Sequence, residues 1–111
     1  MDLSRLELYD KIIEKCPRFE RKGKSMPHTS ANGYMFTALN KDGEIGVRFS
    51  KEVQEKYMKR FGTSFYRSYG AIMKGYVLIP KMMFNDLDYL ADLFDESYDH
   101  VMSLPPKTSK D

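Results

Sequence analysis

The sequence predicts a single α+β domain, and three patterns support that prediction. Apolar residues recur at helical spacing near both ends of the 111-residue chain and once in its middle. Between these segments lie short runs in which apolar and polar residues alternate, which is typical of strands with one buried face. Glycine, proline and asparagine separate the runs as turn residues. The predicted order of elements is α-β-β-β-α-β-β-α.

The first part of the chain predicts a helix, a strand and a hairpin. The helix is expected over residues 3–15, because helically spaced apolar residues there end at a proline. A strand is expected at about residues 19–26. Two further strands, Tyr34–Leu39 and Glu44–Phe49, flank the turn at residues 40–43 and predict a hairpin with one buried face.

The middle of the chain predicts one helix and two strands. Ser50 is a favourable N-cap and Gly62 a favourable C-terminal residue for a helix between them. Strands are predicted at Phe65–Tyr69 and Gly75–Ile79. Pro80 ends the second of these strands, because proline cannot donate a hydrogen bond to the sheet.

The last helix has the clearest pattern. Asn85 is predicted to cap it, since asparagine is a preferred N-cap residue. Its apolar face is formed by Leu87, Leu90, Ala91, Phe94, Tyr98 and Val101. We expect one domain over residues 1–106, followed by a disordered tail at residues 107–111.

A resemblance to a known family rests on short motifs in a fixed order. They are Lys22-Gly23-Lys24, Asn32-Gly33-Tyr34-Met35-Phe36, Asp42-Gly43, Val47-Arg48-Phe49-Ser50, Met73-Lys74-Gly75-Tyr76-Val77-Leu78-Ile79-Pro80 and Ser103-Leu104-Pro105-Pro106-Lys107. Over roughly residues 3–107 the chain resembles the TfoX N-terminal domain family, the front half of bacterial competence regulators. The resemblance implies a two-layer α+β fold, in which helices pack on an antiparallel sheet of about five strands.

Two features depart from that family's pattern. Met26-Pro27-His28 stands where many members carry Met-Phe-Gly, which suggests a side branch of the family. Family competence regulators also carry a second, C-terminal domain, for which a chain ending at Asp111 leaves no room. We therefore expect a stand-alone domain to which the regulators' transcriptional activity does not transfer as a whole.

Composition narrows the class of protein. A hydrophobic content of 41% is enough for one core. No apolar run approaches the roughly 18 residues of a membrane span, and no apolar block of a signal peptide is present. The single Cys16, expected to be a structural thiol, cannot form an internal disulfide. These observations favour a cytoplasmic protein that does not bind a membrane.

Charge is distributed unevenly along the chain. Residues 1–81 carry 16 basic and 9 acidic side chains, whereas residues 82–111 carry 2 basic and 7 acidic ones. The simplest interpretation is a solvated surface with pairing between the two parts. An alternative is a nucleic-acid-associated transcription or competence regulator, with phosphate contacts from Arg18, Arg21, Lys22, Lys24, Lys59 and Arg60.

Few patterns favour catalysis or a cofactor. The glycines lack the spacing of a phosphate-binding loop, and the two histidines and one cysteine do not match a zinc site. The aspartates of the last helix favour an acidic solvent face over a metal site. Tyr66, Arg67 and Tyr69 suggest base stacking, although strand aromatics at this spacing more often belong to a core. We therefore expect a non-enzymatic protein without a cofactor.

The leading hypothesis is a regulatory or protein-interaction module that resembles the TfoX N-terminal domain and binds a protein partner or a second copy of itself. Its candidate interaction residues are Lys24, Ser25, His28, Asn32, Arg48, Lys74, Met82 and Met83. The acidic face of the last helix is a further candidate surface. A third hypothesis is a small-ligand binder or enzyme at the loop of residues 24–32, with Ser25, His28, Thr29, Ser30 and Asn32 in one pocket. Arg48 also has a simpler reading, as the ion-pair partner of a surface carboxylate such as Glu44.

Overall fold

A computed structural model describes residues 4–68 and 70–107, in which three α-helices and one five-stranded sheet follow the predicted order. The helices are α1 (Arg5–Glu14), α2 (Lys51–Phe61) and α3 (Leu87–Met102). The strands are β1 (His28–Ala31), β2 (Tyr34–Leu39), β3 (Ile45–Arg48), β4 (Phe65–Ser68) and β5 (Ala71–Leu78), and a short 3-10 turn occupies Lys81–Met83. The predicted fold class and element order are confirmed.

Each helix begins at a side-chain cap. Ser4 caps α1 through a reciprocal capping box, and Ser50 and Gly62 bound α2 as predicted. The cap of α3 is Asp86, whose carboxylate accepts a hydrogen bond from the backbone three residues later, so the predicted cap at Asn85 is wrong by one residue. Within the described ranges, no helix has both the length and the apolar character needed to cross a bilayer.

The sheet is antiparallel throughout, with strand order β1-β2-β3-β5-β4. β1 and β2 are joined by Asn32 and Gly33, whose φ angles are 56° and 85°. Two central residues with positive φ form the type I′ turn that matches the twist of a hairpin. The chain therefore has a hairpin at its first strand pair as well as at the predicted turn between β2 and β3.

The strand predicted at residues 19–26 is wrong, because the first strand of the sheet is β1. In the predicted stretch, Lys22 forms an isolated bridge with His28, and the residues between them form a loop. Gly23 has a φ of 82°, which turns the chain away from an extended path. Pro27 has no N–H with which to extend the ladder.

β5 is longer than its sequence pattern indicates. It begins at Ala71 rather than at the predicted Gly75, and it pairs with β3 on one side and β4 on the other. The pairing with β4 is interrupted by a register shift, and Gly75 within the shifted region has a φ of 93°. β4 ends at Ser68, and its predicted last residue, Tyr69, lies outside the described residues.

The main core lies between the sheet and the helices. Buried residues from all three helices and from β2, β3 and β5 contribute to it: Leu8, Tyr9, Ile12, Ile13, Cys16, Leu39, Ile45, Val47, Phe49, Tyr57, Val77, Ile79, Leu90, Ala91, Leu93 and Phe94. Tyr9 of α1 meets Phe94 of α3 edge to face, with ring centroids 5.8 Å apart. The predicted apolar face of the last helix thus packs against α1 and the sheet.

The opposite face of the sheet carries a second, smaller cluster formed by Ala38, Tyr66 and Tyr76. The Tyr66 ring lies so close to Gly46 of β3 that a Cβ there would come within 2.3 Å of it. Gly46 and its neighbours in β3 are therefore buried on both sides of the sheet. The prediction that this hairpin has one buried face is wrong, because the tyrosine from β4 covers the other face.

Candidate interaction surface

A groove lies between α2 and the hairpin of β4 and β5, and we call it the α2–β5 groove. It encloses about 500 Å³ and is lined by Lys51, Gln54, Glu55, Met58, Phe65, Lys74 and Gly75. Phe65 is 47% exposed, and Met58 is half-buried against the main core. The groove thus presents apolar surface beside two lysines.

The way in which α2 packs leaves this groove open. Tyr57 is the one residue of α2 that is fully buried. Its ring meets Phe49 edge to face at 4.9 Å and stacks on Phe61 at 5.0 Å. The helix is therefore anchored by Tyr57 and by its partly buried apolar side chains, whereas its four basic and two acidic side chains are exposed.

Arg48, a candidate interaction residue, lies beside the groove. Its Cγ would be 3.6 Å from a Cβ added at Gly75, and its guanidinium lies over the Tyr34 ring, 5.2 Å from the ring centroid. The carboxylate of Glu44, its expected partner, instead accepts a hydrogen bond from an asparagine of the β2–β3 turn at 3.0 Å. The suggested ion pair does not form. Lys74 lines the α2–β5 groove, whereas Arg48 lies outside its lining, next to Gly75.

Asn32, another candidate, holds the β1–β2 turn against the end of α3. Its side-chain amide donates hydrogen bonds to two carbonyl oxygens there, at 2.8 and 2.9 Å. The Lys107 N–H donates to the Asn32 carbonyl at 3.1 Å, and the Tyr34 hydroxyl donates to the Pro105 carbonyl at 2.7 Å. We call these contacts the C-terminal clamp. They include the first residue of the predicted tail, whereas residues 108–111 lie outside the described residues.

The other candidates in the loop at residues 24–32 differ in their environments. Thr29 is buried, and its hydroxyl oxygen lies 2.7 Å from that of a β2 threonine. His28 Nδ1 lies 2.8 Å from the backbone carbonyl two residues earlier. Lys24 and Ser25 are exposed in the turn before β1. Buried Thr29 and exposed Lys24 and Ser25 thus have different environments, and the small-ligand hypothesis stays a prediction.

The basic residues considered for phosphate contact are distributed over separate elements. Arg18 pairs with two aspartates of α3, at 2.8 and 3.1 Å. Arg21 pairs with an aspartate of α1 at 2.7 Å, and Lys22 donates to a serine hydroxyl of β1 at 3.0 Å. Lys59 and Arg60 lie in the last turn of α2. The expected cluster is thus divided, and two of its arginines are already held by carboxylates.

Intramolecular pairs neutralise part of the acidic face of α3. Asp88 pairs with Lys15 at 2.9 Å, and Asp95 and Asp99 pair with Arg18. Pairing between the basic and acidic parts of the chain, which the charge distribution predicted, is confirmed. Across the residues that the structure describes, no three His, Cys, Asp or Glu side chains converge in a way that could hold a metal ion.

The two methionine candidates differ in environment. Met82 is 78% exposed in the 3-10 turn, whereas Met83 packs against the main core. The next residue, Phe84, also packs there, and the Arg5 guanidinium lies 4.8 Å from its ring centroid. Among the apolar side chains Met82, Met83 and Phe84, Met82 is therefore the one that is largely available to a partner, and Met83 is a structural residue.

Two side chains considered for stacking or chemistry are buried. Tyr66 is inaccessible, and its hydroxyl has no hydrogen-bond partner in the described part of the chain. Burial raises its pKa. The core position that the strand spacing favoured over base stacking is confirmed for Tyr66. Burial raises the pKa of Cys16 to about 12, so its sulfur stays protonated at neutral pH. The structural role predicted for Cys16 fits its position in the main core.

No protein-family model, curated protein or solved structure matches the chain. These comparisons therefore supply no family, activity or partner. The resemblance to the TfoX N-terminal domain family stays a prediction based on the motifs themselves.

Sequence reasoning identifies Arg48 and Lys74 but misses the apolar part of the groove. Met58 directly follows the buried Tyr57, and Phe65 opens a strand whose pattern indicates a core position. The sequence around these two residues does not indicate whether their side chains line a groove or lie in the core. Phe65 becomes informative only when β4 is known to lie at an edge of the sheet.

Proposed function

We propose that the protein is a non-enzymatic regulatory module of the TfoX N-terminal domain type, which acts in the cytoplasm by binding a protein partner at the α2–β5 groove. The observation that carries the proposal is the exposed Phe65 side chain in a concave, largely apolar groove. Apolar surface of this kind is typical of binding sites, because a partner that covers it removes it from water.

The distribution of ion pairs supports this choice of surface. The ion pairs among the described residues lie on the side of α1 and α3, and none of them involves Lys51 or Lys74. A cation without an intramolecular carboxylate is available to a carboxylate of a partner. Lys74 also belongs to the motif around Gly75 that contributes to the family resemblance. Charge and motif thus favour the same groove.

The nucleic-acid alternative has less support. Phosphate binding draws its affinity from cations that release counterions, and Arg18 and Arg21 already contact aspartates. The exposed cations of α2 lie beside two glutamates of the same helix. We therefore give the protein-binding function priority and use nuclease treatment to separate the two.

The test is photo-crosslinking in living cells, with a photoreactive amino acid placed at Phe65. We expect a discrete protein adduct that survives nuclease and disappears when Lys74→Glu is added. A photoreactive group at Glu20, which is exposed on the other side of the molecule, is the matched control. Adducts identical to those of the control, or adducts that vanish on nuclease treatment, would overturn the proposal.

A further inference from the structure

We infer that the partner segment bound in the α2–β5 groove is acidic and carries a bulky apolar side chain that inserts against Met58 and Phe65. This inference rests on the proposed function and names the chemistry of the partner. The occupant is a segment of another protein, since the groove combines an apolar lining with a net positive charge.

The apolar part of the groove fits an inserted side chain. A volume of about 500 Å³ has room for a large aliphatic or aromatic group. Phe65 offers a ring face, and Met58 offers an unbranched thioether that adapts to the shape of its neighbour. Since Met58 is also packed against the main core, its position in the groove is fixed by the fold.

We call the inserted apolar side chain of the partner the anchor. The charged side chains of the groove favour particular partner residues on either side of this anchor. The lining includes Lys51 and Lys74 against the single carboxylate of Glu55. Arg48 lies outside this lining, although its Cγ and Nε approach the position of Gly75 at the edge of the groove. Carboxylates on either side of the apolar anchor would complement this balance, whereas lysines would be repelled.

Arg48 is held by an aromatic contact next to the groove. Its guanidinium lies over the Tyr34 ring at 5.2 Å, and that contact limits the directions in which it can point. A guanidinium held in this way loses less side-chain entropy when its planar fork binds a carboxylate. Tyr34 is held in turn by the hydrogen bond to Pro105 in the C-terminal clamp.

The observations favour a protein segment over a nucleic acid at this site. A phosphate backbone would bring negative charge close to the carboxylate of Glu55, which lines the groove beside its apolar side chains and two lysines. An acidic segment with one apolar anchor uses both features, since its carboxylates can avoid Glu55 while its anchor covers Phe65.

The experiment measures the binding of fluorescent peptides of equal length to the full chain by anisotropy. One peptide has a leucine flanked by aspartates, a second has the leucine flanked by lysines, and a third has the aspartates with alanine in place of leucine. We expect the first peptide to bind at least about tenfold more tightly than the other two. NMR chemical-shift changes should be centred on Met58, Phe65 and Lys74.

Charge reversal provides the decisive variant. The double variant Lys51→Glu and Lys74→Glu should lose binding to the aspartate peptide by about tenfold and gain binding to the lysine peptide. The matched control is Lys24→Glu, because Lys24 is exposed in the turn before β1 and does not line the groove. The control variant should leave both affinities unchanged.

Several outcomes would overturn the inference. If the peptide with aspartates and leucine binds no more tightly than the peptide with aspartates and alanine, binding is due to charge alone and needs no apolar anchor. Tighter binding of a single-stranded oligonucleotide would favour a nucleic acid as the occupant. Dimerisation that Phe65→Ala abolishes would identify a second copy as the occupant. If crosslinking at Phe65 succeeds and the peptides fail, the partner chemistry is wrong while the proposed function stands. If crosslinking also fails, both are wrong.

Discussion

Charged residues have different roles on two sides of the molecule. We call the side built from α1 and α3 the α3 side, and the side built from α2 and the β4–β5 hairpin the α2 side. On the α3 side, Lys15 and Arg18 each reach an aspartate of α3, and Arg18 also lies 4.4 Å from the centroid of the Tyr98 ring. On the α2 side, Lys51 and Lys74 line an open groove. The same residue types thus serve the fold on one side and stay available on the other.

The two sides also differ in how their aromatic residues are used. Phe94 of α3 is completely buried between α1 and the sheet, whereas Phe65 of β4 is about half exposed. Burial of apolar surface stabilises a fold in proportion to the area removed from water. We conclude that Phe94 contributes more to stability than Phe65, and that exposed side chains which line the groove can be changed with little cost to folding.

The largest expected difference in stability is between two phenylalanine-to-alanine variants, one on each side of the molecule. Phe94→Ala should lower the free energy of unfolding by about 3–5 kcal/mol, because it leaves a cavity in the main core. Phe65→Ala should lower it by less than about 1 kcal/mol, since half of that side chain already contacts water. Urea denaturation of the two variants measures the difference. Similar losses in both would remove the distinction between the two sides.

An intermediate effect is expected at the C-terminal clamp, which joins the β1–β2 turn to the end of α3. Asn32→Ala should cost about 2 kcal/mol, because it removes two hydrogen bonds and places alanine at a φ of 56°. Asn32→Gly should cost about half as much, since glycine tolerates that φ and loses only the hydrogen bonds. Thermal unfolding compares the pair. A glycine variant as stable as the parent would show that the clamp does not stabilise the fold.

A smaller effect is expected from the exposed ion pairs. Arg18→Ala should lower the free energy of unfolding by no more than about 1 kcal/mol at low salt, and the loss should shrink in high salt. Lys74→Ala is the matched control and should change stability by less, because no ion pair of Lys74 is found among the described residues. Melting temperatures at two salt concentrations test both. A larger loss of stability for Lys74→Ala than for Arg18→Ala would contradict the conclusion that charges on the α3 side serve the fold and those on the α2 side do not.

The smallest expected effect is a pH dependence at the boundary between the two sides. Burial, and then the nearby charge of Arg48, lower the pKa of His100 in the folded state. The unfolded chain therefore binds a proton more readily, so this contribution to stability is present above a pH of about 6.5 and is lost as the pH falls below it. His100→Gln should flatten that part of a pH–stability profile. An unchanged profile would assign the pH dependence to other groups.

Local patterns predict most of the helices and turns of this fold. Ser50 and Gly62 set the ends of α2, because an N-cap hydroxyl and a left-handed glycine act on their own neighbours. The α3 cap was missed by one residue, since Asn85 and Asp86 are both good caps and only the backbone conformation chooses between them. Predictions that depend on neighbours in sequence are therefore nearly correct.

Features that depend on distant contacts could not be predicted in the same way. In the sequence, Gly46 lies at a solvent-facing position of an alternating strand. Only the fold shows that the Tyr66 ring covers it. The first strand was placed too early, although Asn32-Gly33 is a strong hairpin signal that identifies β1 and β2 on either side of it. The α2–β5 groove joins residues from α2, β4 and β5, and no local pattern brings Phe65 close to Lys51.

The C-terminal clamp bears on the order in which the chain folds. Asn32 and Leu104 are 72 positions apart, so their contact closes a loop that contains four of the five strands. A hairpin turn forms within microseconds from its own neighbours, whereas a contact across so long a loop waits until most of the sheet is in place. We therefore expect the first turn of the sheet to form early and its contacts with the C-terminal clamp to form late. Contacts that form after the folding barrier mainly slow unfolding, so the clamp protects the finished fold more than it speeds its assembly.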